Sequence, residues 1–225
     1  MNWLEQHEVF EMEVLEKLKS SRLLESLIFG GGTMLRLCHE LPRYSVDLDF
    51  WKLKAQDDQQ LLNRLVEALG ENYEITDAQL KHFTILVELR SLKFPRRLKI
   101  EIRRQFKDLD YEEKIAFSIF SNKQVLLKGF TLAQMMKNKV AAFLTRGAIR
   151  DAFDMEFLLR KGIALPALTL EQREQLLKQI DRFTLNDFKV TLGSVIAVDW
   201  REYYVQHGFK FLKEKLAAPS DEINS

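Results

Sequence analysis

Two aspartates, Asp47 and Asp49, stand one residue apart in the segment Gly30–Trp51, GGGTMLRLCHELPRYSVDLDFW. In an extended strand alternate side chains share a face. Both carboxylates therefore point one way, and Val46, Leu48 and Phe50 point the other way, into a core. Two like charges so close repel, and a divalent cation relieves the repulsion. An all-oxygen donor set suits Mg²⁺, or Mn²⁺. Just upstream, Gly31-Gly32-Thr33 offers backbone N–H groups and a hydroxyl at a helix start, a cradle for phosphate. A metal site beside a phosphate cradle points to nucleotidyl transfer from an NTP.

A third carboxylate would complete the metal site, and Glu101 is the candidate. Leu98, Ile100 and Ile102 alternate with Lys99, Glu101 and Arg103, so Glu101 emerges opposite the core face. If its strand pairs with that of Asp47 and Asp49, three carboxylates converge around the metal, and Glu101 can also take the proton of an attacking hydroxyl. The alternative is an ion-pair ladder of Glu101 with Lys99 and Arg103. Without the glycine turn, Asp47 and Asp49 would read as solvated residues of an exposed strand face. The turn and the spacing together favour catalysis.

A second cluster lies downstream, in KNKVAAFLTRGAIRDAFDMEFLLRKG. Lys139 and Arg146 fall on one helix, two turns apart, and Arg150, Asp151 and Asp154 open the next. Asp151 and Asp154 are three apart and share a helix face. Lys139 offers a point charge for phosphate, with Asp154 to anchor it or to help set up the nucleophile. The plainer alternative for Arg150 and Asp151 is surface charges or a domain-to-domain salt bridge.

The elements that must position these residues follow from periodicity. Trp3–Ser26 reads as one amphipathic helix with Phe10, Val14, Leu15 and Leu18 inward. Leu27–Phe29 is a short buried strand, Thr33–Leu41 a helix with Pro42 at its exit, and Val46–Lys52 the strand of the two aspartates. Asp57–Glu71 is helical. Alternation predicts strands at Phe83–Arg90 and Leu98–Arg103, whereas Tyr111–Phe130 reads as a loop and one further strand. Helices are predicted at Thr131–Arg146, Ile149–Lys161, Thr169–Ile180, Leu185–Val198 and Trp200–Leu216, with a frayed tail from Ala217. The pattern is an α/β part over residues 1–125 and a helical part over residues 126–225, the change falling near residues 108–130.

Composition sets the outer limits. The 225 residues carry a net charge of +1, so no global charge argues for nucleic acid. Locally, Lys81, Arg90, Lys93, Arg96, Arg97, Lys99, Arg103, Arg104 and Lys107 face only Glu88 and Glu101, a basic run suited to an RNA backbone or a triphosphate. Cys38 is the one cysteine and cannot form an internal disulfide. With no signal-type N-terminus and no apolar run of membrane-spanning length, the expectation is a cytoplasmic protein with no membrane partner.

These motifs resemble the AbiEii/AbiGii-type nucleotidyltransferase toxins, a branch of the polymerase-β-like nucleotidyltransferases. The family pattern is a GG[ST] turn, an R-x-S-x-D-[LI]-D-F strand and a K-x-x-A…R…R-D-x-x-D block. Here these are Gly31-Gly32-Thr33, then Arg43, Ser45, Asp47, Leu48, Asp49 and Phe50, then Lys139, Ala142, Arg146, Arg150, Asp151 and Asp154. The resemblance covers roughly residues 27–160. It implies an α+β fold, with a small mixed sheet flanked by helices and then a C-terminal helical bundle. It implies NTP and Mg²⁺ use, with Gly31, Gly32, Thr33, Arg43, Ser45, Lys139, Arg146, Arg150 and Asp151 toward the nucleotide. It further implies a toxin role with a cognate antitoxin, and an acceptor that is RNA, possibly tRNA, or a protein hydroxyl. Competing readings are nucleotidylation of a small molecule of antibiotic type and an inactive nucleotide-binding module.

Overall fold

The computed structural model describes residues 1–107 and 109–218. They form two compact units, Met1–Thr131 and a second beginning at Leu132.

The first unit is built on a seven-stranded mixed sheet of order β3-β4-β5-β2-β1-β7-β6. The strands are β1 Leu27–Gly30, β2 Asp47–Lys52, β3 Glu74–Leu80, β4 Thr84–Arg90, β5 Leu98–Arg103, β6 Tyr111–Phe117 and β7 Gln124–Phe130. Its helices are α1 Trp3–Ser20, α2 Gly31–His39 and α3 Asp58–Gly70. β2 runs antiparallel to β1 and parallel to β5, with Leu48 opposite Ile100 and Phe50 opposite Ile102. All four side chains are buried, as are Ile85, Val87 and Leu89 of β4. They form one apolar face, and Phe29 of β1 packs its ring 5.1 Å from that of Phe50. α1 adds Phe10, whose ring stacks on Phe94 at 4.6 Å. The strictly alternating burial of β2 is the pattern expected of a strand with one face in the core and the other open.

Several elements depart from the sequence expectation. The N-terminal helix stops at Ser20 rather than Ser26, because Arg22 takes a left-handed conformation (φ 57°) and a single 3₁₀ turn over Leu23–Ser26 leads into β1. The unforeseen β3 is an edge strand, largely exposed, so it shows no apolar alternation. Tyr111–Phe130 is a full hairpin, β6 and β7, with Ile115 opposite Leu126. Both of those residues are exposed, which disguises the second strand. Val46 precedes β2 and is only half-buried.

The second unit comprises α4 Leu132–Arg146, α5 Ile149–Arg160, α6 Leu170–Asp181, α7 Val198–His207 and α8 Lys210–Ala217. Phe153, Tyr204, Phe209 and Phe183 form a continuous ring cluster, with centroid separations of 5.2, 5.1 and 5.8 Å. In place of the expected helix over Leu185–Val198 there is a π-helical turn over Asp187–Leu192. The expected Trp200–Leu216 helix is cut in two at Gly208 (φ 56°). The buried Glu156 ties the pieces together. It accepts hydrogen bonds from the Tyr204 hydroxyl at 3.0 Å, the Leu212 amide at 3.1 Å and Arg160 at 2.9 Å. Beyond Ala218 the expected frayed tail lies outside the described residues. Among the described residues no helix is long and apolar enough to cross a membrane.

Candidate active site

β1 ends at Gly30, the chain turns, and α2 starts at Gly31. Gly31 has φ 72°, a conformation that disfavours any residue with a Cβ. A Cβ there would overlap the Asp49 carboxylate, with Asp49 Cβ itself 2.9 Å away. The second aspartate is thus seated directly on the turn. A Cβ on Gly32 would collide with the Arg43 guanidinium and lie 2.9 Å from Ser45 Oγ. The turn needs glycines because three side chains of the R-x-S-x-D-x-D segment close over its backbone. Gly30, at the N-cap of α2, has no side chain to cap the helix. First-turn amides of a helix, with the positive end of its dipole, suit an anion.

Asp47 and Asp49 are half-buried, on the sheet face opposite Leu48 and Phe50. In the parallel β2–β5 pairing Asp49 lies opposite Glu101 and Asp47 opposite Lys99. Glu101 is therefore on the strand next to Asp49 and on the same face. Lys99 and Arg103 flank it and form no ion pair among the described residues, so a ladder with Glu101 is not formed. Yet no three His, Cys, Asp or Glu side chains are grouped to hold a metal ion among the described residues. The three-carboxylate ligand set expected from Asp47, Asp49 and Glu101 is not preassembled, because alternate strand positions lie about 6.6 Å apart along β2. The donor set still fits the ion. Mg²⁺ is usually held by one or two carboxylates together with substrate phosphates, and Asp47 and Asp49 supply two, one of them against the glycine turn.

Thr33 differs from expectation in its hydroxyl. It is fully buried, and Oγ1 donates to the Asp47 carbonyl oxygen at 2.7 Å. Only its backbone amide remains suited to phosphate. Arg43 is also buried, and its Nη1 donates to the Tyr44 carbonyl at 3.0 Å.

The downstream residues form a cluster of their own in the second unit. Lys139 Nζ lies 2.6 Å from Asp154 Oδ2 and 3.3 Å from Asp151 Oδ1. Arg146 grips Asp151 with two hydrogen bonds, Nε to Oδ2 at 2.6 Å and Nη2 to Oδ1 at 2.8 Å. Asp151 and Asp154 are 1% and 0% exposed and Lys139 is 7% exposed. Buried charges persist only when paired, so the two aspartates hold Lys139 in one position. Arg150 is exposed on α5, with no ion pair among the described residues.

A family model described as "Nucleotidyl transferase AbiEii toxin, Type IV TA system" matches residues 13–222. The chain belongs to the AbiEii nucleotidyltransferase toxin family. Members of this family are toxins of type IV toxin–antitoxin systems that carry out nucleotidyl transfer. No curated protein matches the chain. Among solved structures, JHP933 from Helicobacter pylori is similar with a TM-score of 0.57 and 19% identity, over 96% of each chain. MenT4, a nucleotidyltransferase toxin from Mycobacterium tuberculosis, is similar with a TM-score of 0.50 and 19% identity, over 96% of this chain and 87% of its own. At such identity the likeness is one of fold, and it gives this AbiEii-family chain a nucleotidyltransferase architecture, a mixed sheet followed by helices.

Three buried polar residues of α1 escaped the sequence reading. His7, Glu8 and Glu11 are 1%, 3% and 1% exposed. Glu8 accepts from Arg36 Nε at 2.8 Å and from Ser118 Oγ at 2.6 Å. Burial, with Glu8 and Asp47 nearby, holds the Glu11 carboxyl well above its usual range. Burial likewise lowers His7, against the raising effects of its bond to Val46 and of the Asp47 charge. A signal was present: His7, Glu11, Val14 and Leu18 share the spacing of one helix face.

Proposed function

We propose that this AbiEii-family chain is a Mg²⁺-dependent nucleotidyltransferase that moves a nucleotide from an NTP to an RNA hydroxyl, acting in the cytoplasm as a toxin held in check by a cognate antitoxin. The observation that carries the reading is the seating of Asp49 on the Gly31 turn, with Asp47 on the same strand face. Asp47 and Asp49 hold the metal. When bound, the ion supplies positive charge for the α-phosphate and the departing pyrophosphate. The amides of Gly31, Gly32 and Thr33 grip the polyphosphate, and Arg43 and Ser45 brace the turn beneath it. Within the second unit, Asp151 and Asp154 fix Lys139, and the family resemblance implies a nucleotide-binding role for Lys139, Arg146 and Arg150.

The acceptor hydroxyl oxygen attacks the α-phosphorus. Its new bond forms as the bond to the pyrophosphate oxygen breaks, and pyrophosphate leaves. The hydroxyl proton passes to Glu101, the carboxylate beside Asp49. RNA is favoured over a small molecule by the basic strands and loops around β4 and β5. There Lys93 and Lys99 are exposed and form no ion pair among the described residues.

The test is incubation with each labelled NTP, Mg²⁺ and total cellular RNA, followed by a denaturing gel. Labelled RNA with the native chain, and none with D47N or D49N, is the expected result. Label on an added aminoglycoside and never on RNA would replace the acceptor. Undiminished labelling by both variants would end the reading.

A further inference from the structure

We propose that α1 is a positioning element for Asp47, acting through His7. The inference rests on the reading of Asp47 as a reacting acid.

Strand β1 pairs with β2 only from Asp49 to Lys52, because β1 ends at Gly30 and the chain leaves the sheet. At Asp47 the ladder is present on the β5 side alone. Side chains take the place of the missing strand. His7 Nε2 lies 2.9 Å from the Val46 carbonyl oxygen and donates to it. Thr33 Oγ1 donates to the Asp47 carbonyl oxygen at 2.7 Å. These two carbonyls belong to the two peptide planes flanking the Asp47 Cα. Holding both planes fixes φ and ψ of Asp47, and so the direction in which its carboxylate leaves the strand.

Glu11 lies near both donors. Its Oε1 is 3.5 Å from Thr33 Oγ1 and 3.9 Å from His7 Nε2. The arrangement is costly: His7 is buried and its Nδ1 has no hydrogen-bond partner, which disfavours folding. An apolar residue would pack the α1 face without that cost. Local rules of packing are broken most often at functional sites. A displacement of only 1 Å at a catalytic group can cost about 10²-fold in rate, so a clamp on the backbone of Asp47 has a large effect available to it.

The test compares H7F, which removes the donor and keeps the ring, with H7Q, whose amide nitrogen can donate from nearly the same position, and with T33V. H7F and T33V are expected to lower kcat about tenfold or more, while KM for the NTP stays within about twofold. H7Q is expected to restore most of the lost kcat. Independently of activity, and without NTP or metal, deuterium exchange across residues 46–50 is expected to quicken in H7F and T33V and to stay near native in H7Q. Native kcat and native exchange in H7F and T33V would overturn the proposal, as would equal losses in H7F and H7Q. D47N, assayed in parallel, separates the two readings. An active D47N removes the proposed function, and the exchange experiment then decides the clamp alone. An inactive D47N with a fully active H7F removes only the clamp.

Discussion

The molecule holds two close pairs of aspartates in opposite circumstances. Asp47 and Asp49 stand half-buried on the face of β2 that lies away from the core. Asp151 and Asp154 stand on α5, almost fully buried, against Lys139 and Arg146. Residue type and close spacing are shared, and burial separates the roles. A carboxylate that is buried against a lysine has its charge satisfied inside the protein, and its work is to hold that lysine. A carboxylate on an accessible strand beside a glycine turn can accept a cation and, through it, a phosphate. On the proposed function, the sheet pair serves the chemistry and the helix pair orients Lys139.

Substitutions should separate the two pairs. D47N or D49N is expected to lower nucleotide transfer on the order of 10²–10³-fold or more, with the melting temperature almost unchanged, as read by a labelled-NTP assay beside a thermal melt. Equal activity in the variants would abolish the contrast. In the helical pair, K139M removes the ammonium that lies against Asp154 and Asp151. The expected cost is about 3–5 kcal/mol of stability, seen in urea unfolding, and K139M/D154N should recover part of it. A K139M protein as stable as the native chain would show that Asp154 does not depend on the lysine.

Between these lies the turn itself. G31A imposes a Cβ at φ 72° and against Asp49. It is expected to lose about 1–3 kcal/mol and, by displacing Asp49, at least tenfold in transfer. Measuring stability and kcat on the same variant would show whether the turn serves the fold alone.

The smallest effect sharpens the comparison from a third acid. Glu11 is buried with its carboxyl raised well above the usual 4.5. The folded chain keeps that proton at pH values where the unfolded chain has released it. Stability attributable to this group is therefore fully present below pH 4.5 and declines as pH rises toward the folded value. E11Q carries no such proton. Its stability relative to the native chain should improve as the pH is raised from 4.5 to 7.5. His7, whose lowered value costs stability as pH falls below 6.5, is common to both proteins and largely cancels in the difference. A difference that does not change with pH would mean that Glu11 ionises normally.

Much of the site was legible before any coordinates. The alternation of Asp47 and Asp49 with Leu48 and Phe50, the glycine turn before them, and the placement of Glu101 on a strand whose other face is apolar are all local patterns. Each is written within a few consecutive residues, because strand and helix periodicity and turn chemistry act over that range. The strand at Glu74–Leu80 and the second strand of the 111–130 hairpin were not legible, since edge strands with exposed faces carry no apolar alternation.

What the sequence determined by itself was therefore the candidate site: which carboxylates share a face, and which glycines could turn the chain beneath them. Only the tertiary structure decided how those groups are held. The buried hydroxyl of Thr33, the reach of His7 across to Val46, the bond from Ser118 to Glu8 and the closure of Arg43 over Gly32 join residues that the periodicity of no single element connects. The physical reason is that burial and pairing are properties of a neighbourhood. A polar side chain at a core position becomes intelligible only when the groups that satisfy it have been brought beside it by the rest of the fold.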